Sequence, residues 1–236
     1  MSTRAISIVF SALVVIGLCP ISAHADVKAG LAGYWPLNGD GTDASTNRND
    51  GTVAGDVSPA PNRYGIGGSA LRFPGNAESY IDLGDPTPLQ ITGAMTVAAW
   101  VFLDGSNAGP GRIITKRGGE GNESWDLGLE AAPDGDGYVV VYQVATNSSQ
   151  VVRVSDTRPL STDQWAHVVG IYRPGEALEI YIDGQLRSET TAGVPNSQFS
   201  DNGSPVWMGS GQDCSDCGWN GLLDEVRLYD RPLGQV

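Results

Sequence analysis

The chain has 236 residues, and its 27 Asp and Glu against 14 Lys and Arg give a formal net charge of −13 at pH 7. Such acidity repels nucleic acid and anionic membrane surfaces, which argues against both as partners, while leaving a divalent cation admissible. The length suits one all-β domain of generous size, able to bury a full core without disulfide staples.

The first element is not part of a fold. "MSTR" is a short basic stretch, "AISIVFSALVVIGL" is an apolar run, and Ala23-His24-Ala25 has the small-x-small form of a signal-peptidase site. Residues 1–25 are therefore expected to be a bacterial-type export signal, with residues 26–236 as one domain that is secreted, periplasmic or at the cell surface. The competing reading is a membrane anchor, because the apolar run approaches spanning length. Cys19 does not make a lipoprotein cysteine, since bulky Leu18 precedes it.

After residue 26, short apolar runs alternate with Gly, Pro, Asn and Asp clusters, the pattern of a sandwich or barrel. The predicted strands are 31–37, 69–73, 79–84, 95–103, 111–117, 124–131, 137–144, 150–155, 164–172, 177–183, 185–190, 205–210 and 222–230. In "ALEIYIDGQLRSE", Leu178, Ile180 and Ile182 share one face and Glu179, Tyr181 and Asp183 the other. Asp183-Gly184 then fits a two-residue type I′ hairpin turn. The preceding run carries Trp165, His167, Val169 and Ile171 on one face and Ala166, Val168, Gly170 and Tyr172 on the other. Both faces are largely apolar, which predicts a central strand covered on both sides, with His167 as a wall residue held neutral by desolvation.

Outside the prefix two cysteines remain, Cys214 and Cys217 in "GQDCSDCGWNG". In an oxidising compartment a small disulfide loop is the expected outcome, stabilising a turn by about 2 kcal/mol. Structural zinc would need two further nitrogen or sulfur ligands, and a thioredoxin-like pair would need a strand-to-helix setting.

Five stretches, in order, resemble one family pattern. "GYWPLNGDGTDASTNRNDGTV" is similar to its opening strand and loop, "GIGGSALRFPGNAESYIDLG" to its next hairpin, and "MTVAAWVFL" to the strand after it. "QWAHVVGIYRPGEALEIYIDG" and "WNGLLDEVRLYDRPL" resemble the W-x-H-V … Y-x-D-G hairpin and the closing strand. Together they cover nearly all of residues 31–233, and they resemble LamG-like jelly-roll domains, relatives of pentraxins in the concanavalin A-like lectin/glucanase superfamily. The resemblance implies an all-β, two-sheet antiparallel jelly-roll sandwich of roughly fourteen strands. It also implies a structural calcium ion and a role in binding carbohydrate or protein. Asp43 matches the aspartate of the family's first loop and Asp224 that of its closing strand, so these two are the expected metal ligands. The alternative is that Asp43 caps a turn and Asp224 bonds backbone amides. The "CSDC" insertion departs from the pattern and places a polar loop beside the closing strand, at a candidate ligand-facing rim.

Enzymes occupy the same sandwich, so chemistry needs its own motifs. No E-x-D-x-x-E strand, R-x-E-x-R strand, G-x-S-x-G elbow, H-E-x-x-H or P-loop occurs, and no catalytic residue is assigned. A lyase or glycosidase with an unrecognised site remains the rival to a non-catalytic module that binds an extracellular polysaccharide or glycan. A cell-surface protein is the third candidate partner. Of the six tryptophans, Trp35, Trp100, Trp165 and Trp219 fall on pattern positions filled by core aromatics. Trp125 and Trp207 lie in or beside strands, and all six are expected in the core. That leaves the loops 104–111, 116–124 and 211–218 as candidate ligand contacts.

Overall fold

The computed structural model describes residues 26–105, 109–118, 124–200, 203–212 and 214–234; the proposed export signal lies outside them. Among the described residues fifteen strands form, in the order β1 (Leu31–Trp35), β2 (Thr52–Ala54), β3 (Ser58–Ala60), β4 (Ala70–Pro74), β5 (Tyr80–Asp82), β6 (Met95–Leu103), β7 (Arg112–Lys116) and β8 (Trp125–Ala131). They continue with β9 (Tyr138–Asn147), β10 (Gln150–Ser155), β11 (Trp165–Arg173), β12 (Ala177–Ile182), β13 (Gln185–Thr190), β14 (Val206–Met208) and β15 (Asn220–Tyr229). Among the described residues no helix is long and apolar enough to cross a membrane.

The strands make two antiparallel sheets. One runs β13-β12-β11-β6-β15-β4-β3, with β1 also on β15; the other runs β10-β9-β8-β7-β14-β5-β2. Alternation along each strand sends one set of side chains between the sheets. Val97, Ala99, Val101, Val168 and Ile180 from the first sheet meet Leu127, Tyr142, Val144 and Met208 from the second, in one buried cluster. Trp35, Trp125 and Trp219 are completely buried in it. The type I′ turn forms as its sequence requires, with Asp183 at φ 52° and Gly184 at φ 76°. At Gly170 a Cβ would fall 2.8 Å from the Tyr142 ring of the facing sheet, so the missing side chain is what lets the sheets close there.

Strand β15 divides one of its edges between two partners. Residues 220–223 pair with β4, while 226–229 pair with β1, and β6 lines the other edge. The register shifts between Asp224 and Arg227, with Glu225 at φ 55°, so the junction is a bulge.

Two expectations fail on the same geometry. Strand β11 is not covered on both sides: Trp165, His167 and Val169 face outward and are only half-buried. Trp100, Trp165 and Trp207 likewise project from the outer faces and are not core residues. Apolar patterning on both faces of a strand indicates burial only when a third layer covers the outer face, and among the described residues none does.

Candidate functional site

Asp43 and Asp224 have different surroundings. Asp43 is buried and clasps the first loop. Its Oδ1 accepts the amides of Tyr34 (2.9 Å) and Ser45 (2.7 Å), and its Oδ2 accepts the Asn49 amide (2.8 Å) and the Ser45 hydroxyl (2.9 Å). Asp224, also buried, pairs with Arg63 at 2.7 Å. The Arg63 guanidinium lies over the rings of Tyr64 (4.5 Å) and Trp100 (4.8 Å). Asp43 is thus surrounded by hydrogen-bond donors and Asp224 by a cation. Among the described residues no group of three or more His, Cys, Asp or Glu gathers to hold a metal. As arranged, the two carboxylates do not fit a shared calcium ion, which needs several convergent oxygens.

His167 stands next to this pair, its ring 5.1 Å from that of Trp100. Burial, then the nearby charge of Arg227, pulls its pKa below the ordinary imidazole value, while Asp183 opposes the change. The ring is neutral near pH 7, and its backbone amide donates to Asp183 Oδ1 at 2.9 Å. No serine or carboxylate is hydrogen-bonded to its ring among the described residues.

A row of mostly polar side chains crosses the outer face of the second sheet. Arg153, Gln143, Asp126, Thr115, Trp207 and Asp82 stand opposite one another on six consecutive strands, a row running across the sheet. At the Arg153 end a cavity of about 410 Å³ opens. Arg112, Arg117 and Arg153 line it with Glu130, Gln143 and Asp216, while Val141 and Val151 supply an apolar strip. Buried Asp126 anchors two of the arginines, with Oδ2 2.9 Å from Arg112 and 3.8 Å from Arg117. Glu130 is held by an ion pair to Arg153 and by the Ser155 hydroxyl at 2.6 Å. These pairings keep the long side chains in fixed positions, which lowers the entropy lost when a ligand engages them.

The rim comes from the insertion. Cys214 and Cys217 form a disulfide, with Cα atoms 5.7 Å apart, and both line the cavity. The Arg112 amide donates to the Cys217 carbonyl at 3.0 Å, fastening the disulfide loop to β7. Farther along the row, Trp207 stacks on Tyr80 with ring centroids 3.7 Å apart and an 11° interplanar angle. Pro110, Arg117 and the Cys214–Cys217 segment bring residues of all three candidate loops to the edge of this cavity. The arginines were missed as a set, because Arg153 is distant in the chain from Arg112 and Arg117 and is brought to them only through sheet pairing.

Two facing antiparallel sheets around one core, with loops and a polar outer face, define a concanavalin A-like jelly roll. A family model described as the concanavalin A-like lectin/glucanases superfamily (Laminin_G_3) matches residues 74–235, and the chain belongs to this family. Domain 4 of AbnA, a GH43 extracellular arabinanase from Geobacillus stearothermophilus solved in complex with arabinotriose, is 20% identical with a TM-score of 0.66. That match covers 88% of this chain and 95% of that one. The binding domain of Paraclostridial Mosquitocidal Protein 1 is 17% identical, TM-score 0.69, covering 88% of this chain and 50% of that one. The binding domain of botulinum neurotoxin DC in complex with SialylT is 11% identical, TM-score 0.60, with coverage of 88% and 50%. At these identities the likeness is one of fold. In sequence, the human adhesion G-protein coupled receptor D1 is 29% identical over 69 residues, which is 29% of this chain and 8% of that receptor's length.

Proposed function

We propose that this protein is an exported, non-catalytic carbohydrate-binding module whose ligand lies on the outer face of the second sheet. The observation that carries the reading is the cavity at Arg153. Its fixed guanidinium groups and the Gln143 amide suit sugar hydroxyls, and its Val141–Val151 strip suits the C–H face of a ring. The arabinotriose and SialylT complexes of fold neighbours support a glycan as ligand class. Among the described residues two acids line the cavity, Glu130 and Asp216; Glu130, and Asp126 behind the wall, are directed to arginines.

Affinity electrophoresis against a panel of soluble polysaccharides, followed by Arg153→Ala on the retained one, tests this. Arg153 is half-exposed, so its removal leaves the fold intact and is expected to weaken binding about tenfold. New reducing or unsaturated ends in the mixture would sink the non-catalytic reading. Silence on every glycan would favour a protein ligand, for which the adhesion-receptor match speaks. With Asp43 and Asp224 already satisfied by donors, binding is expected to survive chelation of calcium, and wild type is expected to keep its Tm; a chelator-sensitive affinity would restore the ion.

A further inference from the structure

A second cavity, of about 530 Å³, lies on the other sheet, where β1 meets β15. Leu31 and Tyr34 of β1, Arg227 and Tyr229 of β15, Lys28, and Thr46 of the first loop all line it. Its lining is cationic, although Glu225 pairs with Arg227 and the Asp26 carboxylate accepts the Lys28 amide at 2.9 Å, neither acid lining the cavity. Acidic residues outnumber basic ones almost two to one in the sequence, yet two cations and no carboxylate line this cavity.

The donors there are partly unspent. The Arg227 guanidinium lies over the Tyr34 ring, 4.2 Å from its centroid, and among the described residues its side chain donates to Glu225. Glu225 also accepts the Tyr34 hydroxyl at 2.9 Å, so this carboxylate is occupied and orients both groups. Among the described residues the Lys28 ammonium has no acceptor. The wall that carries it is braced, since Arg231 donates to the Ala29 carbonyl (2.6 Å) and the Asp26 carbonyl (2.8 Å). An aromatic ring, an aliphatic wall, one cation held over that ring and a second, exposed one match a ligand with one apolar face and one anionic group.

We propose that this cavity is a second binding site, for a carboxylate-bearing sugar. The sugar ring lies against Tyr34 and Leu31, and its carboxylate reaches Lys28 and Arg227. The site is independent of the proposed glycan site on the opposite sheet.

Calorimetric titration with tetragalacturonate, its fully methyl-esterified form and monomeric galacturonate tests it. The acid is expected to bind at least about tenfold more tightly than the ester, and the difference to shrink in high salt. Lys28→Gln and Arg227→Gln should each weaken the acid about tenfold, while Arg158→Gln, at an exposed arginine that lines neither cavity, should change nothing. Lys28 is exposed, so its variant remains informative if Arg227→Gln does not fold. Equal affinity for acid and ester, no binding, or indifference to Lys28→Gln would overturn the proposal. A monomer that binds as tightly as the tetramer would overturn the assignment to a glycan unit in favour of small free acids.

Discussion

Replacing Asp224 by Asn should flatten part of the pH dependence of stability, with a sign opposite to that of an ordinary surface ion pair. Asp224 is 1% exposed and sits 2.7 Å from Arg63. Burial pushes its pKa up from 3.8 to about 6; the Arg63 charge works against this and the Glu225 charge adds to it. The folded state therefore holds the proton more tightly than the unfolded chain does. The stabilisation from that proton is complete below about pH 3.8 and is lost as pH rises through about 6. The rise is worth about 3 kcal/mol, an order-of-magnitude figure. Urea-unfolding free energies of wild type and Asp224→Asn, measured across this range, isolate the term because the amide does not titrate. The stability difference, wild type minus variant, should move toward the wild type on acidification, by up to about 3 kcal/mol. If it is flat, or if the wild type gains on the variant as pH rises, attraction to Arg63 outweighs desolvation and the reasoning is refuted.

Three further outcomes are expected. Gly170→Ala places a Cβ 2.8 Å from the Tyr142 ring and should lower stability by about 1–3 kcal/mol in denaturant unfolding, through repacking between the sheets. Tyr142→Phe should be neutral or stabilising by about 1 kcal/mol, because among the described residues the buried hydroxyl has no hydrogen-bond partner; a large loss would reveal a bound water or a hidden acceptor. Replacing Cys214 and Cys217 by Ser should cost about 2 kcal/mol and leave the circular dichroism spectrum unchanged, and it should also weaken glycan binding at the cavity whose rim the pair forms.

The strands were legible where one face was apolar and the flanks were turn-rich. The 95–103, 150–155 and 185–190 segments form with the bounds their patterns indicate. Strands β2 and β3 were missed because Thr52–Ala54 and Ser58–Ala60 are three residues each and mostly exposed, too short for any period to register. The tryptophans show a different limit. Alternation fixes that Trp100 and Val101 point opposite ways, but which side is the core depends on where the second sheet lies. The same holds for the polar sites. Asp43 was singled out by its loop and lies in it, yet its four donors come from backbone curvature that the sequence does not spell out. The two cavities are assembled from strands separated by up to two hundred residues, so the sequence points to loops at the edge of one but not to the strand residues that form the walls.

The position of β15 has a consequence for how the chain reaches its shape. Without residues 220–229, the first sheet is two unconnected pieces, β13-β12-β11-β6 on one side and β4-β3 on the other, with β1 unattached. A ribosome adding residues in order therefore delivers the joining strand after all fourteen others, and loop closure across almost the whole chain must precede completion. The first sheet of the nascent polypeptide stays open until this strand is available. Loss of this one strand would yield not a smaller domain but a chain with exposed sheet edges, prone to self-association.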